Sequence, residues 1–394
     1  MRRRTFYSIL LLVLFSDCIT QKAAAITVPT EIKWSVKMAN TVIARSDSLI
    51  YYVDKSPKWA YDVAFLGMAI DRLGNTDPRY SRYMENWVDH FVKPDGSVTD
   101  YKLKEYNLDR IFPGRDVIAV YKRHPDPKYK IALDNFIEQL KTQPKTNSGG
   151  YWHKNIYPSQ MWLDGIFMAS TFMAQYAKEF DRPEWFDVAC EQTKIIYEKT
   201  LDSETGLLMH AWDESLSQKW CDRVTGKSHY PWSRAMGWYI LAIEDILEYL
   251  PENHPSRADL IAILQKTCDA LVKVRDLKTG LWFQVLNYGG REGNYLEGSG
   301  SAMYTYAFAR GAHKDWLDKK YLSLANSAFD GIIKELISVD NKGRITMHNI
   351  CGGCGLGGSP YRDGTYKYYI NEKRVDNDTK GVAPFIMAAL ELDR

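Results

Sequence analysis

The chain has 394 residues, 45% of them hydrophobic and 25% charged, and its formal net charge is +2. This composition excludes a disordered chain, and a near-neutral charge without long basic runs excludes an electrostatic surface for nucleic acid or an anionic membrane. The chain also carries 12 Trp and 26 Tyr, side chains that suit stacking on sugar faces as well as a large aromatic core.

The N-terminus has the pattern of a secretory signal peptide. A basic start is followed by the apolar stretch 9–15 and by a small-residue run that ends at Ala25. The apolar stretch is too short to span a bilayer. The sequence therefore predicts a signal peptide over 1–25 and an exported protein, periplasmic or secreted, with lipidation at Cys18 as an alternative. Residues 26–394 are expected to form one domain, because no linker-like segment interrupts them.

Beyond this segment, apolar residues spaced three and four apart predict helix after helix. Segments such as 160–179 and 231–249 are apolar nearly all round, whereas 126–142 is charged on one face. Inner and outer helices of this kind favour an all-α fold, an (α/α)6 barrel, over an open solenoid. Glycine turns between alternate helices predict short β-ribbons in the connecting loops. The predicted helices span 31–48, 58–74, 78–92, 113–123, 126–142, 160–179, 183–200, 231–249, 256–274, 299–311, 315–337 and 380–392.

One carboxylate stands in an otherwise apolar helical run. It is Asp164, within residues 159–177. Loss of hydration raises the pKa of a carboxyl and keeps a proton available near neutral pH, as a general acid needs. If Ser159 caps this helix, the helix dipole opposes that shift, and we expect desolvation to dominate. The alternative role for Asp164 is a cap or a partner for a buried arginine.

In such a barrel, the loops that enter the inner helices are expected to line one mouth. Asp109 is either a helix cap or a second active-site carboxylate there. His153 and His210 each follow a glycine turn and are candidates to donate to a sugar hydroxyl or to the acid, with a structural role as the alternative.

The same mouth is expected to gather cationic and aromatic side chains. Arg234 offers a planar fork for a carboxylate, and Trp238, one helical turn further on, shares its face. A stacked pair in the core is the alternative for these two residues. The Gly- and Tyr-rich segment 355–369 is expected to be a loop that covers the pocket, with Arg362 as a ligand for an acidic sugar. The aromatic candidates are Tyr61, Trp162 and Trp232.

The cysteines after the signal segment do not form a disulfide framework. There are five, an odd and scattered number. The spacing Cys351-Gly-Gly-Cys354 resembles half of a redox or metal site, but without a second pair or a nearby histidine cluster a glycine-rich turn is favoured. The sequence predicts no metal site and no cofactor. The remaining cysteines are Cys190, Cys221 and Cys268.

Seven motifs follow one another along most of the chain. They are Trp152-His153-Lys154, Met161-Trp-Leu-Asp164, Phe167-Met-Ala169, His210-Ala-Trp-Asp213-Glu-Ser215, Trp232-Ser-Arg234-Ala-Met-Gly-Trp238, Glu297-Gly-Ser299-Gly-Ser-Ala302 and Asn377-Asp-Thr-Lys-Gly-Val-Ala-Pro384. Together they resemble the unsaturated rhamnogalacturonyl hydrolases of glycoside hydrolase family 105. The resemblance to the related unsaturated glucuronyl hydrolases of family 88 is weaker.

The resemblance implies an (α/α)6 barrel and an oligosaccharide substrate left by a polysaccharide lyase, with a C4=C5 double bond in its non-reducing-end uronic acid. Asp164 would protonate C4 and then take a proton from the water that adds at C5. The hemiketal would open and release the next sugar. The other implied roles are binding of sugar hydroxyls or water by Asp109, orientation of substrate by His153 and His210, and binding and stacking of the unsaturated residue by Arg234 and Trp238.

Several alternatives stay open from the sequence. The substrate is either a rhamnogalacturonan-type or a glycosaminoglycan-type oligosaccharide, which would make the protein an unsaturated glucuronyl hydrolase. An inverting glycosidase could use Asp109 and Asp164 as base and acid on saturated glycosides. A non-catalytic glycan-binding barrel is the third alternative. The protein is expected to be a monomer or a small homo-oligomer.

Overall fold

Helices dominate the computed structural model, which describes residues 32–53 and 56–394. The predicted signal peptide and the alternative lipidation at Cys18 lie outside the described residues. None of the described helices combines the length and the apolar character of a membrane span. Residues Lys33–Arg394 form one compact unit.

The helices form two layers, and every predicted helix has its counterpart, with ends shifted by a few residues. The outer helices are α1 (Trp34–Arg45), α3 (Pro78–Phe91), α5 (Pro127–Thr142), α8 (Glu184–Thr200), α10 (Arg257–Lys273) and α12 (Lys320–Leu336). The inner helices are α2 (Tyr61–Asp71), α4 (Gly114–Arg123), α6 (Leu163–Gly165) continuing into α7 (Thr171–Glu179), α9 (Ser233–Tyr249), α11 (Gly298–His313) and α14 (Thr379–Glu391).

The inner helices form a closed ring. Contacts run from α2 to α4, α7, α9, α11 and α14, and α14 packs back onto α2. Each outer helix packs chiefly on one inner helix, as α12 does on α11, while α3 contacts α4 as well as α2. Residues 233–247 of α9 are all buried, as the uniformly apolar pattern predicts for a helix packed on every side. The fold is an (α/α)6 barrel.

Local signals set the starts of two outer helices, α3 and α5. Asp77 precedes Pro78 and accepts a hydrogen bond from the backbone N–H of Arg79. Asp126 precedes Pro127 in the same way at the start of α5. Proline at the first helical position loses no hydrogen bond, and the aspartate satisfies a free N–H group. The Asp-Pro pairs therefore fix where these helices begin.

Three small antiparallel ribbons lie in the connections. β1 (Gln160–Trp162) pairs with β2 (Ala211–Asp213), β3 (Ile337–Val339) with β4 (Ile345–Met347), and β5 (Ile350–Cys351) with β6 (Arg374–Val375). The ribbon predicted after the turn at Gly343 is thus present. The extended stretches predicted after Gly150 and Gly206 form only isolated bridges in the described residues.

The predicted helix 160–179 starts differently from expectation. Residues 160–162 are strand β1, and the helix begins at Leu163 and widens into a π turn over Ile166–Ser170 before α7. Ser159 does not cap it, because this residue has φ of 61° and precedes the strand. The ladder with β2 holds these residues extended, so tertiary pairing overrides the helical pattern.

The predicted loop 355–369 contains a further helix, α13 (Tyr366–Asn371). The side chain of Thr365 accepts a hydrogen bond from the backbone N–H of Tyr368 and caps this helix. Tyr369 on α13 is fully buried. The helix is too short for its spacing to stand out in the sequence.

Buried charges pair near the C-terminal ends of α9 and α11, away from the ends where these helices begin. Asp245 accepts hydrogen bonds from Arg115 Nη1 at 2.5 Å and from Arg310 Nη1 at 2.6 Å. Its neighbour Glu244 is fully buried, and neither of its carboxyl oxygens has a hydrogen-bond partner among the described residues. Burial raises the pKa of Glu244 well above its ordinary value despite Arg310. This carboxyl is therefore held neutral in the fold.

Candidate active site

A cavity of about 260 Å³ opens at the end of the barrel where the inner helices begin. All the predicted site residues line it except His210 and Trp238. Acidic, basic and aromatic side chains share its wall, as a polar sugar with an acidic group requires. The lining residues are Tyr61, Asp109, His153, Lys154, Tyr157, Trp162, Asp164, Met168, Trp232, Arg234, Gly353, Cys354, Gly355 and Arg362.

The β1–β2 ribbon places Asp164 beside His210. Trp162 pairs with Ala211 in the ladder, and Leu163 N donates to His210 O at 3.1 Å. The helix begins directly after the strand, so Asp164 lies in its first turn. Two segments far apart in sequence thus present their side chains to each other.

Asp164 faces the cavity without a permanent cation. Its side chain is 13% exposed, and its Oδ2 lies 3.3 Å from His210 Nε2. The same Oδ2 is buried and has no aligned hydrogen-bond partner among the described residues. No lysine or arginine of the described segments pairs with this carboxyl, so the alternative role of a partner for a buried arginine is wrong.

His210 lies behind Asp164 rather than in the cavity. It is fully buried, and its Nδ1 is 2.8 Å from the hydroxyl of Tyr369. Its ring packs against Trp232, with the ring centroids 4.7 Å apart. The His210 ring therefore contacts the acid rather than the cavity, and orientation of substrate by His210 stays a prediction.

Asp109 is held as an anion on another side of the cavity. Its Oδ2 is 2.5 Å from Lys154 Nζ, and its Oδ1 is 3.3 Å from His153 Nε2. Burial opposes ionisation, but the Lys154 ammonium and the His153 ring outweigh it and hold the pKa of Asp109 well below its usual value. Asp109 lies in a 3-10 turn, Leu108–Arg110, and does not cap α4, whose N-cap is Pro113.

Arg234, in the first turn of α9, is almost fully buried and reaches the cavity. Its Nη1 donates to Cys351 O at 2.5 Å and to Ser299 Oγ at 3.3 Å. Both acceptors are held by Glu297, whose carboxylate accepts from Ser299 Oγ at 2.8 Å and from Cys351 N at 3.0 Å. The guanidinium also lies over the Trp232 ring, 4.8 Å from its centroid. The Arg234 guanidinium is thus held in place by neutral hydrogen-bond acceptors and by the face of the Trp232 ring.

Stacked rings form the wall between the two carboxyls. His153 stacks on Trp162 with ring centroids 4.8 Å apart and an interplanar angle of 8°. Tyr157 stacks on Trp162 with centroids also 4.8 Å apart. Arg362 Nη2 donates to the hydroxyl of Tyr157 at 2.8 Å. The segment predicted to cover the pocket is therefore tied to this wall by an arginine.

Trp238 does not occupy the predicted position. It is fully buried and stacks on Phe167 with ring centroids 4.7 Å apart. It also meets Phe65 edge to face at 5.1 Å. The prediction that Trp238 stacks on the substrate is therefore wrong. One helical turn separates it from Arg234, but that turn carries Trp238 into the packed interior of the barrel.

Sequence reasoning missed four residues of this region. Lys154 and Tyr157 line the cavity. Lys154 directly follows the candidate His153 in the motif Trp152-His153-Lys154, so this motif could have identified it as a site residue. Cys354 was interpreted as part of a turn, and it also lines the cavity. Tyr369 was placed in a loop, and no local pattern marks its contact with His210. Among the described residues, no group of three or more potential ligands could hold a metal ion.

Comparisons with known proteins agree with this geometry. The sequence profile of Glycosyl Hydrolase Family 88 matches residues 34–394. A crystal structure of a glycoside hydrolase from family 105 of C. acetobutylicum ATCC 824 is 40% identical and superposes with a TM-score of 0.88, covering 92% of this chain and 99% of that chain. An unsaturated glucuronyl hydrolase specific for heparin, 12% identical, covers 91% of this chain and 96% of that chain with a TM-score of 0.65 and so shares the fold.

Two curated relatives are also similar. Protein Atu3128 of Agrobacterium fabrum is 36% identical over 230 residues, which are 57% of this chain and 97% of the relative. The unsaturated rhamnogalacturonyl hydrolase YesR of Bacillus subtilis is 26% identical over 268 residues, which are 66% of this chain and 73% of the relative. The similarity thus extends from the fold to the sequence.

Proposed function

The chain belongs to Glycosyl Hydrolase Family 88, and from this premise we propose that it is an unsaturated rhamnogalacturonyl hydrolase. It would release the 4,5-unsaturated uronic acid from the non-reducing end of lyase-generated oligosaccharides by hydrating the C4=C5 bond. The 40% identity to a family 105 hydrolase and the similarity to YesR support this substrate class. The heparin-specific neighbour is only 12% identical.

The difference between the two carboxyls carries the proposal. Asp109 is paired with Lys154 and His153 and stays ionised, so it cannot supply a proton. Asp164 lies 3.3 Å from the His210 ring and pairs with no lysine or arginine of the described segments. Protonation of an alkene carbon needs a carboxylic acid positioned in a pocket with limited access to water. Of the two carboxyls, only Asp164 has the surroundings of an acid.

The proposed steps balance around this one side chain. The Asp164 carboxyl gives its proton to C4, and positive charge develops at C5 and the ring oxygen. Water adds at C5, and the Asp164 carboxylate takes a proton from it. The resulting hemiketal opens to a ketone at C5, and the hemiacetal formed at C1 releases the next sugar as an alcohol.

The other cavity residues would bind and orient the substrate. Arg234 offers its guanidinium to the uronate carboxylate, since its fixed contacts are neutral acceptors. The anionic Asp109 would accept from sugar hydroxyls or from the water. His210 would support Asp164 from behind: when its Nδ1 donates to Tyr369, the lone pair on its Nε2 faces the Asp164 carboxyl.

Specificity for the parent polysaccharide must lie in the leaving sugar. Galacturonate and glucuronate differ only at C4, and the C4=C5 bond abolishes that stereocentre. The unsaturated residue is therefore the same from either parent. Lys154 and Arg362 line the cavity beside the central residues and are the charged groups available to contact the leaving sugar.

The test is a spectroscopic assay of the purified chain on unsaturated disaccharides from rhamnogalacturonan, pectin, heparin and chondroitin. We expect loss of the near-ultraviolet absorbance with the rhamnogalacturonan product and no cleavage of its saturated analogue. Asp164→Asn should abolish turnover, whereas Asp187→Asn, at an exposed carboxylate of α8, should not. Cleavage of the saturated analogue would instead support an inverting glycosidase that uses Asp109 and Asp164 as base and acid. Preference for the heparin or chondroitin product would support an unsaturated glucuronyl hydrolase.

We also propose that the chain is exported, on the basis of its N-terminal pattern. The mass of the mature N-terminal peptide distinguishes the two routes. Cleavage after Ala25 leaves an unmodified peptide, whereas lipidation leaves a peptide that begins at Cys18 and carries acyl chains. An intact Met1 after expression in a host with an export pathway would contradict both.

A further inference from the structure

A pair of thiols lies against the candidate active site. Cys351 ends strand β5 and is fully buried, and Cys354 follows two glycines later and lines the cavity. Their Sγ atoms are 3.5 Å apart, and both are free. We propose that this pair is a reversible oxidation site, which closes to a disulfide and thereby changes how the cavity binds an anionic sugar.

The geometry favours closure of the pair. The two sulfurs need to approach by only about 1.5 Å to reach a disulfide bond length. Of the two intervening glycines, Gly353 has space around it, since an added Cβ would have its nearest neighbour, Arg234 Nη2, 4.0 Å away. Glycines also adopt the backbone rotations that such a movement needs. The other described cysteines, Cys190, Cys221 and Cys268, have no second sulfur at hydrogen-bond distance.

The surroundings favour reaction at this pair. The side-chain amide of Gln284 lies 3.2 Å from Cys351 Sγ and 3.6 Å from Cys354 Sγ, so its N–H groups donate to sulfur. The hydrogen bond with Cys354 lowers the pKa of Cys351, and Arg234 adds to this effect against burial. Burial and the neighbouring sulfur raise the pKa of Cys354. One member of the pair is thus favoured as the thiolate nucleophile.

The oxidant would be a small-molecule disulfide, RSSR, that enters the cavity. Cys354, the sulfur that lines the cavity, passes its proton to the Cys351 thiolate, attacks RSSR and forms a mixed disulfide with one half, and the first RS⁻ leaves and takes up a proton from water. The Cys351 thiolate then attacks Cys354 Sγ, the intramolecular S–S bond forms, and the second RS⁻ leaves and takes up the Cys351 proton. Counted from the thiolate form of Cys351, the pair loses two electrons and one proton, water gives the second proton, and RSSR becomes two RSH.

Oxidation would act on substrate binding through Arg234. The guanidinium donates to the Cys351 carbonyl, and the thiolate of the same residue is a negative charge near it. A disulfide carries no charge, so Arg234 keeps more of its positive potential for a substrate carboxylate. Glu297, Asp378 and Tyr61 also face Arg234, and oxidation leaves them chemically unchanged. Glu297 and Tyr295 also face the thiol of Cys351. The oxidised protein should therefore have a lower KM, by a severalfold factor that grows with pH as the thiolate fraction of the reduced protein rises.

The experiment has one readout that does not depend on activity. The reduced full chain is treated with hydroxyethyl disulfide under exclusion of air, and peptide mass spectrometry follows thiol alkylation. We expect the peptide with Cys351 and Cys354 to lose two hydrogen atoms and to escape alkylation, and dithiothreitol should reverse this. In Cys354→Ser, the remaining Cys351 thiol should stay reduced and be alkylated after the treatment. Cys190→Ser should form the disulfide as the wild type does. Persistent alkylation of both thiols, or a stable adduct on Cys354 alone, would overturn the proposal.

The second readout is KM on the unsaturated rhamnogalacturonan disaccharide, and this part rests on the proposed function. We expect the oxidised wild type to bind more tightly than the reduced form, and Cys354→Ser to show no response to the oxidant. A disulfide that forms without a change in KM would overturn the link to Arg234. Absence of any turnover in either redox state would count against the proposed function, while the mass readout would still decide whether the disulfide forms.

Discussion

Replacing Glu244 with Gln should remove a pH-dependent penalty on folding. Glu244 is fully buried in α9, and its carboxyl oxygens have no hydrogen-bond partners among the described residues. Burial raises its pKa well above the usual 4.5, with further contributions from Asp245 and Glu391, against the opposing charges of Arg310 and Arg72. The unfolded chain gives up this proton near its usual value, whereas the folded chain keeps it.

The sign and the size of the stability change follow from the difference between the pKa values of Glu244 in the folded and unfolded chain. The stability that the neutral form contributes is fully present below pH 4.5 and is lost as the pH rises towards the folded pKa. The loss is about 1.4 kcal/mol for each pH unit between 4.5 and the pKa of the folded state. Gln stays neutral at every pH and escapes this loss. Its amide donors need acceptors in the fold, at a cost that does not change with pH.

Urea denaturation followed by far-ultraviolet circular dichroism at pH 4.5, 5.5, 6.5 and 7.0 measures the effect. The free energy of unfolding of Glu244→Gln, relative to the wild type, should rise with pH by up to about 1.4 kcal/mol for each pH unit across this range. Glu248→Gln is a control that should show almost no pH dependence over this range, because Lys314 and Arg310 overcome burial and hold the pKa of that carboxyl below its usual 4.5. The stability that the ionised Glu248 contributes is lost only as the pH falls below 4.5. A pH-independent difference for Glu244→Gln would refute the assignment of a buried neutral acid.

Three further changes test the cavity. Asp164→Asn should reduce kcat to background and leave the circular dichroism spectrum unchanged, since the two side chains have nearly the same shape. Turnover near the wild-type rate would contradict the role of Asp164 as acid and base. Tyr369→Phe should lower kcat with little change in KM and should shift the pH profile of kcat, because the Tyr369 hydroxyl contacts His210, which in turn contacts Asp164. A change confined to KM would argue against an effect of Tyr369 through His210. Lys154→Met should raise the pKa of Asp109, because the ammonium that holds it low is lost, and should move the acidic limb of the kcat/KM profile to higher pH. An unmoved limb would show that the pair does not control ionisation.

The barrel could be predicted because the helical spacing of apolar residues and the alternation of uniformly apolar and one-sided helices both indicate the same fold. Uniformly apolar segments such as 231–249 alternate with one-sided ones such as 126–142, and the ring needs that alternation. Asp164 stood out for the same reason, as a lone charge within an apolar run. Its immediate setting was not predictable, since the strand at 160–162 exists only through pairing with 211–213, some fifty residues further on.

The errors at the site have a common physical origin. Helical spacing gives the face on which a side chain lies but not its depth, so Trp238 was assigned to the cavity although Phe167 stacks on it inside the barrel. His210 and Tyr369 meet across 159 positions of sequence, a contact that no local pattern encodes. Such contacts depend on ring closure, which brings together segments from the whole chain.

Ring closure also determines when the candidate active-site cavity can exist during biosynthesis. Its wall combines Tyr61, from the second helix, with Arg362, from a segment that emerges late in synthesis. The last helix then seals the ring, and the backbone N–H of Ser35 donates to Arg394 O at 3.4 Å. A ribosome-bound intermediate that stops before residue 352 lacks both Arg362 and the last helix, α14. Activity should therefore appear in a single late step, and nascent chains arrested earlier should be sensitive to protease and unable to turn over substrate.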